Sequence, residues 1–422
     1  MSKPRLLFLS TEQLLLPLRG GTLRTVHILK KLVEYFEVTA VLPQDKPSFQ
    51  SCLLIFPNLA KVDWRFKEEF RIPKPRKLYE LPQRIQSRLR EVISTKRWRN
   101  MPMDWSFSSW RFWDEPIRRI ITDQSPDVVI IEHTRHAESF KLVKILAPQA
   151  FLLCSSQNVE SDLVGQLLIG SMDADQVTKL QAQIIRQERK MNNLCDLLWC
   201  CSSEDKQRYI EMGITKSAIR VVPNGVDTNA TIYKERSTAL GEPIILFIGT
   251  IGYKPNRDGI HWFYSAVWPN LKKRFPTIKW LIVGRFPTND VFGLADIDTS
   301  IEVHADVEST QPFLDMAHVS ICPLMSGSGT RLKILEAFSA GVPVVSTQLG
   351  AEGIAANNGE TICIADTPQE FETAIATLIN NQEYATSISR RARYLASTKY
   401  EWSSIAESAI QDLLESIKAK AN

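Results

Sequence analysis

Several protein classes are excluded by what this sequence lacks. It has no apolar run that approaches the roughly 18 residues of a membrane-spanning helix, and its amino terminus lacks the long apolar region and small-residue cleavage site of a signal peptide. Its seven cysteines are odd in number and do not have the spacing of a zinc site. These absences predict a cytoplasmic protein whose thiols are reduced and buried.

The sequence also lacks a large excess of charge of either sign. Its 51 lysines and arginines are nearly balanced by 47 aspartates and glutamates, which leaves a net charge of +4. No recognisable nucleic-acid-binding module accompanies this small excess, so nucleic acid is not an expected partner. Hydrophobic residues make up 44% of the 422 residues, which is ordinary for a globular protein. The length favours two domains.

Apolar runs of strand length alternate with segments of helical periodicity from the amino terminus onward. A strand is predicted at residues 6–10, followed by a loop that contains Gly20 and Gly21, a helix over 22–34 and a strand at 37–42. This order is typical of the start of a doubly wound parallel sheet, in which ligands bind beyond the carboxyl ends of the strands.

A second alternating series begins near residue 244, after a polar stretch that indicates a linker. The sequence therefore predicts two α/β domains and a final helix that packs back toward the first of them. The predicted boundaries are an N-terminal domain at 1–227, a linker at 228–242, a C-terminal domain at 243–395 and the final helical segment at 396–422.

Residues 61–119 interrupt the first series and differ from it in composition. The segment holds 16 lysines and arginines against 8 aspartates and glutamates, together with half of the ten tryptophans. Basic side chains and amphipathic rings favour the interface of an anionic bilayer, so peripheral contact with the inner membrane face is one interpretation. A helical subdomain whose tryptophans pack its own core is the other.

The most informative stretch is residues 321–347, where a strand leads through a glycine-rich turn into a helix. Glycines let a backbone approach a ligand closely, and the N–H groups and positive dipole end of a helix N-terminus suit a phosphate. Arg331 and Lys333 add charge beside the turn, and Glu336 lies one to two turns into the helix. A solvated helix face is the alternative interpretation of the two cations. The turn consists of Ser326, Gly327, Ser328, Gly329 and Thr330.

Two polar stretches follow predicted strands of the first domain. His133 and His136 come after the strand at 127–132, at the edge of the sheet where a ligand group is expected. His133 and His136 are rival candidates for a group that contacts the ligand. Gln157 follows the next predicted strand, at 150–155.

Five stretches, in this order along the chain, resemble motifs of the retaining GT-B glycosyltransferases of family 4, in particular the subgroup with Gly-x-Gly-Thr-Arg-x-Lys before the donor-site glutamate. The resemblance implies the GT-B fold, with two Rossmann-like domains facing a cleft. It also implies transfer of a sugar from a nucleotide-sugar, bound by the C-terminal domain, to an acceptor hydroxyl with retention, in polysaccharide or glycoconjugate assembly. The stretches are Gly20-Gly21 and residues 223–227, 247–250, 281–284 and 321–347.

The resemblance further implies roles for individual residues. Glu336 would bind the ribose hydroxyls of the donor, since a carboxylate can accept two hydroxyl hydrogen bonds, and His133 would lie near the donor sugar and the acceptor. Arg331 and Lys333 would neutralise the diphosphate as the sugar–phosphate bond breaks, so neither a metal ion nor another cofactor is expected. The acceptor is left open between a sugar, a lipid-linked molecule and a protein. The other donor-binding residues would be Gly20, Gly21, Gly284, Arg285, Gly327, Ser328, Gly329 and Thr330.

Three positions depart from the family pattern. Ser328 stands where the first glutamate of the family's Glu, seven residues, Glu motif would be. Thr250 occupies the place of a diphosphate-binding arginine, and Gln157 replaces a commoner histidine. These departures keep two alternatives open: a non-catalytic GT-B subunit that binds a nucleotide-sugar, and a GT-B sugar-nucleotide epimerase or phosphorylase.

Overall fold

The computed structural model describes residues 2–10, 13–14, 20–43, 46–66, 69, 111–168, 173–235, 242–327 and 329–421. Three expectations from the sequence lie wholly or largely outside the described residues. They are the donor-binding role of Ser328, the membrane or packing role of the basic segment at 61–119, and the later part of the linker, residues 236–241.

Seven parallel strands form the sheet of the N-terminal domain: β1 (Arg5–Leu9), β2 (Glu37–Leu42), β3 (Asp63–Phe66), β4 (Val128–Glu132), β5 (Phe151–Ser155), β6 (Leu197–Cys200) and β7 (Ala218–Val221). Their spatial order is β3-β2-β1-β4-β5-β6-β7. Every residue of β4, β5 and β6 is buried, as expected for a parallel sheet covered on both faces. The order reverses between β1 and β4, so a crevice opens there beyond the carboxyl ends of the strands.

Helices cover both faces of this sheet: α1 (Gly20–Tyr35), α2 (Lys46–Ile55), α3 (Arg111–Gln124), α4 (Ala137–Leu146), α5 (Glu160–Leu168), α6 (Ala174–Leu194) and α7 (Ser203–Glu211). The side chains of β1 alternate between the two sides, since Leu6 and Phe8 join one core cluster and Leu7 and Leu9 the other. α7 begins where the Ser202 hydroxyl accepts the Asp205 N–H, a standard helix cap. Short 3₁₀ helices lie at Pro57–Lys61 and Thr134–His136.

Six parallel strands form the second sheet: β8 (Ile244–Thr250), β9 (Lys279–Arg285), β10 (Ile301–Ala305), β11 (Val319–Cys322), β12 (Val344–Ser346) and β13 (Cys363–Ile364). Their order is β10-β9-β8-β11-β12-β13, which reverses between β8 and β11. The second crevice therefore lies between the carboxyl ends of these two strands. The accompanying helices are α8 (Lys254–Ala266), α9 (Trp268–Arg274), α10 (Asn289–Ile297), α11 (Gln311–Met316), α12 (Leu332–Ala340), α13 (Pro368–Asn380) and α14 (Gln382–Lys399).

The last helix, α15 (Trp402–Ala421), packs on the N-terminal domain although it follows the C-terminal one. Trp402, Ile405, Ile410 and Leu413 are buried in the same core cluster as α1. The Trp402 ring stacks on His27 of α1, with centroids 4.9 Å apart and planes inclined by 7°. This helix therefore links the end of the C-terminal domain to the core of the N-terminal one.

Two local predictions need correction. The helical periodicity of residues 261–275 predicts a single helix there, but the structure has α8 and α9, which meet at Val267. Pro269 lies in the first turn of α9, where its missing N–H is tolerated, so the chain restarts a helix there. Gly20 and Gly21 were predicted in a loop, but they are the first two residues of α1.

Two further predictions concern the cysteine thiols and membrane-spanning helices. All seven cysteines are free and buried, as predicted, and burial raises the pKa of the Cys52 thiol to about 11. In the described part of the chain, no helix combines the length and the apolar character needed to span a membrane.

Candidate active site

The glycine turn, of which the structure describes residues 326–327 and 329–330, lies between β11 and α12 beside the crevice of the C-terminal sheet. Gly327 and Gly329 have φ angles of 114° and 79°, a region that residues with a Cβ rarely adopt, so glycine is needed at both positions. Arg331 is the N-cap residue of α12 and is only 8% exposed. Its Nη1 donates to the Gly329 carbonyl at 2.8 Å, so the guanidinium lies folded against the turn. Thr330 is buried beside Gly353.

Lys333 is held beside the same crevice by Asn256, for which no role was predicted from the sequence. Its Nζ donates to Asn256 Oδ1 at 2.6 Å, and Asn256 Nδ2 donates to the Thr250 carbonyl at 2.8 Å. The Nζ also lies 4.2 Å from the centre of the Phe247 ring. Asn256 therefore fixes the ammonium group over the end of β8. A polar residue in the first turn of a helix that follows a strand was the signal that could have indicated it.

Glu336 follows Lys333 by three residues, which places both side chains on one side of α12. Desolvation raises the pKa of the Glu336 carboxyl to about 7, and the Lys333 charge opposes this shift. Desolvation also lowers the pKa of Lys333 to about 8. A carboxylate that can accept from a diol and cations that can face an anion thus lie beside one helix N-terminus.

The ends of β8 and β9 approach each other very closely. Gly249 pairs with Gly284 in the parallel register, and a Cβ added to Gly284 would lie 1.7 Å from the Gly249 carbonyl oxygen. A Cβ on Gly249 would lie 3.0 Å from Lys333 Nζ. Arg285 ends β9, and its carbonyl accepts the N–H of Ile251 at 2.8 Å. The predicted residues Gly284 and Arg285 therefore border the same crevice as Lys333.

On the other side of the cleft, the buried carboxylate of Glu132 joins the ends of several elements. Ser10 Oγ, after β1, donates to Glu132 Oε2. Thr25 Oγ1 of α1 donates to Oε1 at 2.6 Å, and Gln157 Nε2 donates to the same oxygen at 3.3 Å. The only signal in the sequence was a charged residue at the end of an apolar strand. Glu132 therefore fixes the first turn of α1, with Gly21, against Gln157.

His133 and His136 have different surroundings. His133 follows β4 with a φ of 68°, an unusual value for a residue other than glycine, and its Nδ1 lies 3.0 Å from Glu160 Oε1. His136 is 2% exposed, and neither ring nitrogen has a hydrogen-bond partner among the described residues. Burial lowers the pKa of His136 well below its usual value. Of these two histidines, only His133 has a carboxylate partner among the described residues.

The N-terminal domain reaches the glycine turn from across the cleft. Gln166 Oε1 on α5 accepts the Gly327 N–H, and a Cβ on Gly329 would lie 2.7 Å from Asn158 Oδ1. Arg208 on α7 forms ion pairs with Glu352 of the C-terminal domain and with Asp162. The two crevices therefore face each other, and the candidate site lies between them. Of the predicted site residues, only Ser328 lies outside the part of the chain that the structure describes.

Two family models match the chain. The model described as Glycosyltransferase Family 4 matches residues 24–230, and the model described as Glycosyl transferases group 1 matches residues 242–381. Each model covers most of one α/β domain, and the boundary between them falls in the linker.

The chain is also similar to two curated proteins. An "Uncharacterized 44.6 kDa protein in cps region" of Klebsiella pneumoniae is 29% identical over 148 residues, which are 32% of this chain and 37% of that protein. Glycogen synthase of Mycobacterium tuberculosis is 23% identical over 249 residues, which are 56% of this chain and 56% of that enzyme. The matches therefore span only part of the length of either relative.

Among solved structures, the chain is similar to Alr3699/HepE of Anabaena in complex with UDP, with a TM-score of 0.66 and 12% sequence identity. The match covers 97% of this chain and 100% of the Anabaena chain. At such low identity the likeness concerns the fold. Together with the two family models, it confirms the predicted architecture of two Rossmann-like domains that face a cleft.

Proposed function

We propose that this chain, which carries the two domains of a GT-B glycosyltransferase, transfers a hexosyl group from a nucleotide-sugar to an acceptor hydroxyl. The observation that carries the proposal is the meeting of the glycine turn, Arg331, Lys333 and Glu336 at the switch point of the C-terminal sheet. A helix N-terminus with two cations suits the diphosphate. Glu336 suits the ribose hydroxyls.

In the proposed reaction, the bond between the sugar C1 and the diphosphate oxygen breaks, and its electron pair leaves with the diphosphate. The acceptor oxygen forms the new bond from the same face, with retention, and its proton passes to the departing phosphate. Arg331 and Lys333 stabilise the charge that develops on the leaving group, so we propose that no metal ion is needed. His133 orients the reacting hydroxyl from the opposite crevice.

The comparisons support a choice of first substrates. The Anabaena protein was solved with UDP, and the Klebsiella relative is named for a cps region. We therefore favour a UDP-sugar donor and an acceptor in polysaccharide or glycoconjugate assembly, with the reaction in the cytoplasm. The basic, tryptophan-rich composition of residues 61–119 supports placing the enzyme at the inner membrane face.

Nucleotide binding tests the donor site directly. Thermal unfolding is followed with UDP, GDP, ADP and CMP in the presence of EDTA, on the wild type and on Glu336→Ala. A nucleotide at 100 times its Kd stabilises the folded state by about 2.7 kcal/mol, which corresponds to a shift of a few degrees. We expect one nucleotide to give this shift in the wild type and none in Glu336→Ala.

The matched control is Glu360→Ala, which removes an exposed carboxylate from the same domain. It should keep the full nucleotide-induced shift. A wild type that responds to no nucleotide, or a Glu336→Ala variant that responds as the wild type does, would contradict the proposed donor site. Turnover with the matching nucleotide-sugar then distinguishes an enzyme from a binding subunit.

Two adjacent glycines of α1 allow a second test of the site. A Cβ on Gly21 would lie 1.6 Å from Gln157 Oε1, whereas a Cβ on Gly20 would meet nothing within 4 Å. Gly21→Ala must expel the Gln157 side chain and so break its hydrogen bonds to Glu132 and to the Gly21 carbonyl. We expect kcat/KM to fall roughly tenfold in Gly21→Ala, since a small displacement of groups that position a substrate is enough for such a loss.

Gly20→Ala is the control for folding, and it should keep the wild-type stability because a Cβ there meets nothing within 4 Å. A kcat/KM of Gly21→Ala equal to that of the wild type, measured by steady-state kinetics, would show that the position of Gln157 against α1 has no bearing on the reaction.

A further inference from the structure

A buried carboxylate, that of Glu160, lies against the ring of His133. His133 Nδ1 and Glu160 Oε1 are 3.0 Å apart, and the two side chains are 4% and 1% exposed. Arg135 Nη1 lies 3.7 Å from the same oxygen. In this setting the ring nitrogen that faces Glu160 is the favoured site for the proton of the neutral imidazole, because a carboxylate accepts hydrogen bonds and has none to donate.

Glu160 is itself held by a second buried glutamate, Glu188 of α6. The Glu160 N–H donates to Glu188 Oε1 at 2.9 Å, and the Ser161 N–H donates to Oε2 at 3.3 Å. Thr134 Oγ1 also donates to Oε1, at 3.1 Å. Glu188 therefore fixes the start of α5, which carries Glu160, relative to the turn after β4, which carries His133. The distance between His133 and Glu160 depends on this arrangement.

The backbone at His133 is also unusual. Its φ of 68° is in the left-handed region, which a residue with a side chain rarely adopts and which persists only where the surroundings enforce it. The His133 N–H donates to the Ser155 carbonyl at 3.0 Å. The His133 backbone is therefore held by β5, and its side chain is held by the start of α5.

We propose that Glu160 is a positioning residue that holds His133 in one orientation and in the tautomer with the proton on Nδ1, with Glu188 as the support of Glu160. Nε2 then carries the lone pair and is the nitrogen that can accept a proton or a hydroxyl hydrogen bond. The tautomer assignment stands on the geometry alone. Its link to sugar transfer rests on the proposed function.

Nuclear magnetic resonance measures the tautomer without any substrate. Long-range ¹H–¹⁵N correlation spectra of the ¹⁵N-labelled full chain report both ring nitrogens of each of the six histidines, and the signals that vanish in His133→Asn belong to His133. The spectra are recorded at a pH where the imidazoles are neutral. We expect His133 of the wild type to be protonated on Nδ1 alone. A wild-type His133 protonated on Nε2 would overturn the proposal, whether or not any variant folds.

Glu160→Gln removes the charge and keeps the shape of the side chain. In this variant we expect His133 to lose its single tautomer, while the other five histidines keep their wild-type signals and show that the fold is intact. Glu138→Gln is the matched control, since the Glu138 side chain is 43% exposed and pairs with Lys190 at 2.9 Å, and the His133 signals of this variant should not change. A His133 tautomer that is the same in Glu160→Gln as in the wild type would contradict the proposal.

The kinetic test applies once a donor and an acceptor are known. Glu160→Gln should lower kcat roughly tenfold or more and leave KM nearly unchanged, because the ring is present but misoriented. A kcat equal to that of the wild type would separate Glu160 from the chemistry. If no pair of substrates gives turnover, the proposed function fails, and the spectra still decide the tautomer assignment.

Discussion

Replacing Arg331 by alanine is expected to lower kcat by roughly 10²- to 10³-fold, which is the usual effect of removing one group that stabilises developing charge. The guanidinium is 8% exposed and donates to the Gly329 carbonyl at 2.8 Å, so it is fixed before the donor binds. A preorganised cation acts most strongly on the transition state, where the leaving diphosphate gains charge. KM should therefore change far less than kcat.

One further variant separates the charge of Arg331 from its geometry, and a second serves as a control. Arg331→Lys keeps the charge but not the planar fork, and its kcat should lie between those of the wild type and the alanine variant. Arg274→Ala removes an arginine that is 48% exposed and pairs with Glu372, and it should leave kcat unchanged. Steady-state kinetics on folded variants, checked by thermal unfolding, decide the matter. A kcat for Arg331→Ala within threefold of the wild type would remove Arg331 from the proposed mechanism.

The part of the site on the C-terminal domain could be predicted from the sequence because its residues are close together in the chain. Gly327, Gly329, Arg331, Lys333 and Glu336 lie within ten residues, and a strand, a turn and a helix place them beside one another without any knowledge of the rest of the fold. The φ angles of the two glycines explain why the turn needs that residue type.

The part of the site on the N-terminal domain could not be predicted in the same way, because its contacts depend on the order of the strands. Glu132 meets Ser10 only because β4 lies next to β1, although more than 120 residues separate them. Asn256 likewise meets Lys333 across the reversal between β8 and β11. Periodicity identifies strands, but it does not say which strand ends become neighbours.

The choice between His133 and His136 shows the same limit. The two residues are three positions apart in one polar stretch after one strand, so spacing alone could not separate them. The positive φ of His133 turns the chain so that its ring meets Glu160, while the His136 ring is enclosed in the interior. Neither the backbone angle nor the contact with α5 could be inferred from the local sequence.

The helix boundaries show where periodicity misleads. The apolar spacing continues through Val267 and Pro269, which is why one helix was predicted there, but a proline at that place would remove a backbone hydrogen bond of a continuous helix. The error does not affect the site, because Asn256 lies in the first turn of α8, well before the break at Val267.

The closest backbone approach at the site leads to the largest expected effect on stability. Gly284→Ala would place a methyl group 1.7 Å from the Gly249 carbonyl oxygen. That atom belongs to the backbone of β8 and has no rotamer into which it could move. The two strands must separate at the end where they border Lys333. Because overpacking in a rigid interior destabilises by about 1–3 kcal/mol and occasionally by more, we expect a loss of about 3 kcal/mol in the free energy of unfolding.

Gly293→Ala is the matched control in the same domain. Gly293 lies within α10, and a Cβ there would meet nothing within 4 Å, so alanine should stabilise the helix by roughly 0.5–1 kcal/mol. Thermal unfolding should therefore move the two variants in opposite directions, with Gly284→Ala losing roughly 6 °C or more. Nucleotide affinity should fall in Gly284→Ala alone, since the end of β8 also carries the Thr250 carbonyl that holds Asn256 and, through it, Lys333. A Gly284→Ala variant as stable as the wild type would mean that β8 and β9 are not packed as closely as this structure has them.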